Sequence, residues 1–326
     1  MQNTWFGLPH ELAVGLVMLL VLTMYAIFAG ADFGGGILDL VSFGPRRKEQ
    51  QQAISQAMGP VWEANHVWLI FMVVILFTAF PRAFEALSIK FFLPFHLVLV
   101  GIVLRGASFV FRANADVASF QWTAWARVFG IASVITPFLL GSALGAVSVG
   151  GSVLHPVSLG IGALTLAACA YQAAVFLTVE TEGELQEDFR FHAMGAGVTV
   201  AVFAALMLPL IRGASPLLWE HLSNPASVPP MIAGAVLAAG SFWAVSIRRY
   251  QLARVLAVGE IVIVLWGWAF AQWPYIIYPG YTVYNSAAPG PAIKFLLDTL
   301  PFGLALLIPS LVLLFVVFKG RRRPTA

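Results

Sequence analysis

The sequence predicts an all-α membrane protein of about nine transmembrane helices, and three observations carry that prediction. Of its 326 residues, 60% are hydrophobic and only 10% are charged, where soluble domains average roughly a quarter charged. The apolar residues fall into continuous runs of the length that crosses a hydrocarbon core. They do not alternate as the strands of a membrane barrel do, and a helix satisfies its own backbone groups in lipid. Finally, Lys and Arg sit in short clusters between the runs, the pattern that sets membrane orientation. The net charge of +3 is therefore read as membrane sidedness, with lipid as the surrounding partner and no nucleic acid.

The runs lie at roughly 10–31, 60–80, 90–111, 125–147, 156–179, 193–211, 229–247, 253–273 and 301–318, making 1–326 a single polytopic transmembrane domain. Met1 to Leu12 carries only His10 and Glu11 as ionisable side chains. It lacks the basic start of a signal peptide, so the first run reads as a span. Arg46, Arg47 and Lys48 follow span 1, and Arg112 and Arg127 flank the loop after span 3. Arg248, Arg249 and Arg254 lie between spans 7 and 8, and Lys319 with Arg321, Arg322 and Arg323 follows span 9. Nine spans put all four clusters on one side, which the positive-inside rule makes cytoplasmic, with the N-terminus outside and the C-terminus inside. An even number would strand the last cluster on the wrong side.

Two connections stand apart. Glu180, Glu182, Glu184, Glu187 and Asp188 gather after span 5, as a solvated turn or as a docking surface. The long outer connection from Pro274 to Leu300 carries Tyr275, Tyr278, Tyr281 and Tyr284, side chains suited to the headgroup level. The single cysteine, Cys169, allows neither an internal disulfide nor a Cys-based metal site.

Ionisable groups inside spans are functional hypotheses by default, and four stand out. Asp32 precedes Gly34-Gly35-Gly36 late in span 1; Glu63 lies in Trp62-Glu63-Ala64-Asn65-His66 in span 2; Arg105 is in span 3 and Glu260 in span 8. Counted at 1.5 Å per residue, all four are expected in one layer toward the cytoplasmic side. Two readings stay open. In one, Arg105 pairs with a carboxylate and locks the bundle. In the other, the carboxylates form a proton or cation path.

Six histidines are present, but only His66 and His96 lie well inside spans. Their expected depths differ by roughly 10 Å in a core about 30 Å thick, too far apart to ligate one haem. No HExxH, CxxC or phosphate-loop spacing occurs, so no metal site is expected in this chain.

These residues carry a resemblance. Asp32-Phe33-Gly34-Gly35-Gly36-Ile37-Leu38, with Pro60-Val61-Trp62-Glu63-Ala64-Asn65-His66-Val67-Trp68, resembles the signature of subunit II of cytochrome bd-type quinol oxidases. Further resemblances follow in order: Phe77 to Pro81, Leu104 to Arg112, Thr181 to Leu185, and Phe270 to Pro279 with Tyr284 to Ala288. Residues 115–170 and 195–260 are generic. The resemblance implies helical bundles like those of subunit II, in a bacterial plasma (inner) membrane. It implies a complex that oxidises quinol and reduces O2 to water. The partner is the homologous subunit I, holding haem b and haem d, and a small accessory subunit is a further candidate. This chain is expected to bind no haem firmly, although some family members hold a structural quinone here.

The family's acid of the Trp-acid-x-Asn motif, proposed to serve a cytoplasmic proton channel, corresponds to Glu63, and a first-helix Asp corresponds to Asp32. Three departures qualify the match. Ala29 stands where a second helix-1 carboxylate is common, Glu63 replaces the usual Asp, and His66 stands where Glu or Gln is common. The expectation is a haem-free subunit that scaffolds subunit I and delivers protons past Glu63, Asp32 and Glu260. Arg105, Trp62, Asn65 and His66 would hold the path in place. The alternatives are a purely structural membrane partner and a stand-alone secondary transporter.

Overall fold

In lipid, a long apolar run closes its backbone hydrogen bonds only as a helix, and this chain does so throughout. The computed structural model describes residues 4–116 and 119–320; Arg321, Arg322 and Arg323 of the last basic cluster lie outside the described residues. A short hairpin, β1 (Thr4–Trp5) and β2 (Leu8–Pro9), precedes α1 (His10–Val41). There follow α2 (Arg47–Ala79), α3 (Pro81–Lys90), α4 (Phe92–Ala113), α5 (Phe120–Val149), α6 (Pro156–Glu180), α7 (Gly183–Ala214), α8 (Pro216–Leu222), α9 (Val228–Ser246) and α10 (Tyr250–Gln272). A second hairpin, β3 (Tyr275–Ile277) and β4 (Tyr281–Thr282), leads to α11 (Gly290–Gly320). Among the described residues, nine helices are long and apolar enough to cross a membrane; α3 and α8 are not among them.

The helices outrun the apolar runs. α1 continues from 31 to Val41, α2 begins at Arg47 rather than near 60, α7 at Gly183 rather than near 193, and α11 at Gly290 rather than near 301. Hydropathy marks where lipid ends, whereas the i→i−4 ladder continues as long as the residues favour it. Lys48 to Gln52, and Glu184, Gln186 and Glu187, are polar but good helix formers. Most of the acidic stretch expected as a turn after span 5 is thus the first turns of α7.

α1 is the central strut, packed against α2, α5 and α6. Two of its glycines explain how it sits there. A Cβ on Gly34 would collide with the carbonyl oxygen of Cys169 in α6, and a Cβ on Gly36 would collide with the hydroxyl of Ser133 in α5. The triple glycine therefore serves close helix approach, and α1 stays helical through it. α4 closes the first half against α5. α7, α9 and α10 build a second half on α6, and α11 leans on α2.

At the end where α1 begins, the aromatic connection folds over the bundle instead of hanging free. The backbone N–H of Tyr278 donates to Val147 O at 2.9 Å, and that of Ala288 donates to Ala79 O at 2.8 Å. Lys90 donates to Gly150 O at 3.0 Å, and partial burial lowers its pKa. At the opposite, basic end, the acidic residues after α6 meet arginines from two other connections. Arg46 binds Asp188 at 2.7 Å and Glu184 at 2.5 Å. Glu187 binds Arg248 at 2.8 Å and Arg190 at 3.3 Å. The α1–α2, α6–α7 and α9–α10 connections are thereby clasped at one end of the bundle.

Candidate functional site

A charge in hydrocarbon is costly unless it is paired. On that rule the most informative groups are the buried ones, and among them Asp32 and Arg105 are each 1% exposed. They meet directly: Arg105 Nη2 donates to Asp32 Oδ1 and, at 3.1 Å, to its backbone carbonyl. The other carboxylate oxygen, Oδ2, accepts from Asn65 Nδ2 at 3.0 Å. Arg105 Nη1 donates to Ser133 Oγ at 2.5 Å. The guanidinium lies 4.5 Å from the Phe33 ring centroid and 4.9 Å from that of Phe129. Four helices, α1, α2, α4 and α5, therefore converge on one ion pair.

A second rung lies beside it. Arg112 donates to Asp39 through both terminal nitrogens, each at 3.0 Å. Gln51 donates to the Asp39 carbonyl at 2.9 Å. Arg112 stacks 4.4 Å from the Trp122 ring and reaches Phe129 at 5.9 Å, so one phenyl ring touches both guanidiniums. Asp32 and Asp39 are seven residues apart on α1, and Arg105 and Arg112 seven apart on α4. A heptad step returns to nearly the same helix face, so two helices with matched steps make two stacked pairs. Tyr25 is one heptad earlier on the same stripe, buried, with no hydrogen bond to its hydroxyl among the described residues.

Sequence reasoning missed this second pair. Asp39 was not singled out, and Arg112 reads as a loop-flanking charge. The signal was present in the equal spacings 32/39 and 105/112. It is hidden because the apolar run of span 1 stops near 31, short of Asp39.

The other expected site residues are placed differently. The Asn65–Asp32 hydrogen bond levels α2 against α1, so Glu63, two residues from Asn65, sits near the depth of Asp32. At 100° per residue, however, the two positions face in nearly opposite directions. Asn65 is buried and Glu63 is exposed. Glu63 shares its outward stripe with Ile70 and Phe77, which are 63% and 60% exposed. Trp62 stacks on Phe109 at 5.9 Å and packs edge-on to His66 at 4.8 Å. His66 Nδ1 lies 2.7 Å from Trp62 O, and His96 Nδ1 lies 2.7 Å from Phe92 O. Each ring is tied to its own helix four residues back.

Glu260 belongs to the second half. It is half-buried on α10, near Tyr171, whose hydroxyl is 2.7 Å from Ser241 Oγ. The expectation of four charges acting together thus resolves into one pair, one outward carboxylate and one distant carboxylate. Among the described residues, no group of three or more His, Cys, Asp or Glu is placed to hold a metal ion.

The profile of the family "Cytochrome bd terminal oxidase subunit II" matches residues 10–318. The chain belongs to that family. Among similar proteins is the cytochrome bd ubiquinol oxidase subunit 2 of Bacillus subtilis, 29% identical over 224 residues, covering 63% of this chain and 62% of the relative. The cytochrome bd-I ubiquinol oxidase subunit 2 of Escherichia coli K12 is 26% identical over 59% of this chain and 54% of its own length. The chain thus spans less than two thirds of these two relatives. A putative cytochrome bd menaquinol oxidase subunit II of Bacillus subtilis aligns over 92% of this chain and 93% of its own length, at 22% identity. In fold, the chain is similar to one chain of the bd oxidase structure from Geobacillus thermodenitrificans. The TM-score is 0.81 at 23% identity, covering 95% of this chain and 98% of that one.

Proposed function

We propose that this chain is the haem-free subunit of a bd-type quinol oxidase and that it supplies protons for O2 reduction from its basic, cytoplasmic end. In this reading the chain spans a bacterial inner membrane with its N-terminus outside. Electrons would pass from quinol to O2 through haems held by a homologous partner subunit. The chain's own contribution is to brace that partner and to carry protons.

The observation that supports the reading is the placement of Glu63. Ionisable side chains in spans almost always face protein or a water-filled cavity. A carboxylate on an outward stripe between Trp62 and Ile70 would be costly against lipid, so another protein surface belongs there. The Glu63 carboxylate is then the last proton-bearing group of this chain before the partner. Asp32 stands behind it, held by Arg105 and Asn65. Its carboxylate oxygens are both taken by these partners, which suits it to brace the helices more than to shuttle a proton. Glu63, with no ion pair among the described residues, is free to exchange one. Glu260 lies apart from both and is the weaker member of the path.

The test is Glu63→Gln in the purified complex, which keeps size and hydrogen bonding but cannot titrate. Oxidase turnover is expected to fall at least about tenfold, the lower range for a lost proton-transfer group, while the haem spectrum and yield stay unchanged. Unchanged turnover would leave the structural reading, in which the carboxylates only set packing. Isolation of the chain active without a haem-bearing partner would point to a transporter.

A further inference from the structure

The basic end of the first half carries an open cleft of about 100 Å³ between the end of α1 and the starts of α2 and α5. Arg47, Lys48 and Arg127 line it, with Gln51 and Trp122. All three cations are exposed and, among the described residues, none has an ion-pair partner. They differ in this from Arg46, Arg248 and Arg254, which are spent on the acidic residues at the end of α6 and the start of α7. One carboxylate also lines the cleft, that of Asp39, but Arg112 already neutralises it with two hydrogen bonds. Glu49, the other nearby acid, is exposed on the first turn of α2. The cleft therefore keeps a surplus of positive charge. Arg47 and Lys48 are also the first two residues of α2; the backbone N–H of Arg47 is taken by Gly44 O at 3.2 Å, and the helix dipole adds to the attraction for an anion.

The surroundings are apolar in a way that suits only one source of anion. Phe120, the first residue of α5, is 83% exposed, and Val41, next to Leu40 of the cleft lining, is 49% exposed. Phe111 and Trp125 stack at 4.8 Å across α4 and α5 on the neighbouring flank. Exposed aromatics at a helix end mark the headgroup level of a bilayer. Basic pockets between helices at that level take anionic headgroups.

We propose that this cleft binds the phosphate of an anionic phospholipid, with Arg47, Lys48 and Arg127 on the headgroup and Val41 and Phe120 along the upper acyl chains. The lipid would seal the aqueous end of the Asp39–Arg112 pair. The site rests only on this end facing the headgroups and is independent of proton delivery by Glu63.

The test uses the whole complex in detergent, stripped of loosely bound lipid and then titrated with phosphatidylglycerol, phosphatidylcholine or inorganic phosphate while thermal unfolding is followed. Phosphatidylglycerol is expected to raise the midpoint at concentrations where the other two do not. The triple variant R47Q/K48Q/R127Q is expected to need at least about tenfold more of it, given roughly a factor of five or more per lost basic residue near an anionic surface. The single variant Arg249→Gln, at the same end but outside the cleft, should respond as the parent does. Native mass spectrometry of the parent complex should retain phosphatidylglycerol, which keeps the proposal testable if the triple variant fails to assemble. An equal response to phosphatidylcholine, or a full response in the triple variant, would overturn the proposal. So would stabilisation by inorganic phosphate alone, which would make this a free-anion site, or a parent complex that retains no anionic lipid.

Discussion

The two halves of the bundle handle buried charge in opposite ways. In the half built from α1, α2, α4 and α5, two aspartates and two arginines are buried, and each is paired. In the half built on α6 with α7, α9 and α10, the one acid within a span beyond the clasped end is Glu260. It is half-buried and has no hydrogen bond or ion pair among the described residues. The first half behaves like a locked core, in which pairing has been satisfied group by group. The second half is held by small-residue packing and by the salt-bridge clasp at its basic end. The lesson concerns where function can reside. A group locked by an arginine is rigid and reports on assembly, whereas a group without a partner is free to exchange protons and reports on turnover.

That comparison breaks first at Arg105. Arg105→Ala removes one member of a dry pair and leaves the buried Asp32 without its partner. Breaking a buried pair in this way costs about 3–5 kcal/mol. The expected outcome is loss of most assembled complex from membranes, measured as recovered subunit and haem absorbance. The double variant D32L/R105M should recover part of the yield, since an apolar pair of similar volume avoids the unpaired charge. If the single and double variants assemble equally badly, Arg105 is needed for more than charge balance.

Arg112→Ala tests whether the second rung is equally locked. Arg112 is 6% exposed rather than 1%, and Asp39 lines a cleft open to water. Water from the cleft reaches the orphaned carboxylate once the guanidinium is gone, and the expected cost is about 2–3 kcal/mol, below the range for a dry pair. A thermal midpoint for Arg112→Ala as low as that of Arg105→Ala would mean that the two rungs form one cooperative unit. Phe129, touching both guanidiniums, is the group that would couple them.

How much of this was legible in the sequence depended on which physical signal each feature left. Continuous apolar runs and basic clusters are signals about lipid, and from them the nine spans were readable. Helix ends were not, because polar residues such as Lys48 to Gln52 continue a helix after the hydrocarbon stops. Asp32, Glu63, Arg105 and Glu260 could be found as charges in apolar runs, but their partners could not. Pairing depends on which way each helix is turned, and no single run fixes that. The Asn65–Asp32 contact shows the point: two residues separate Glu63 from Asn65, and that separation decides which faces out and which faces in. The Asp39–Arg112 pair escaped because both residues lie past the ends assigned to their spans, where a charge needs no explanation.

Gly34→Ala probes the seam between the halves. The added methyl would meet the backbone carbonyl of Cys169, which cannot swing aside as a side chain end can. α1 and α6 must separate, at a cost of about 1–3 kcal/mol for an overpacked site. The expected result is a lower thermal midpoint with both ion pairs retained. Turnover per assembled complex should change little, because neither Glu63 nor the pairs touch Cys169 O. A large loss of specific activity at normal stability would show that the seam positions the path, and not only the bundle.

Glu260→Gln should have the smallest effect on stability, and for that reason it sharpens the comparison most. With no ion pair to lose, and with an amide that keeps the hydrogen-bonding capacity of the carboxylate, the expected change is within about 0.5 kcal/mol. Turnover should fall by less than in Glu63→Gln, because Glu260 lies in the other half, away from the Asp32–Arg105 pair. Both quantities can be read from one preparation, by thermal unfolding and by oxygen consumption. A stability loss as large as that of Arg112→Ala would mean that Glu260 acquires a cationic partner in the assembled complex. The second half would then be locked like the first, and the contrast between a half whose buried charges are paired and a half whose acid stands alone would fail.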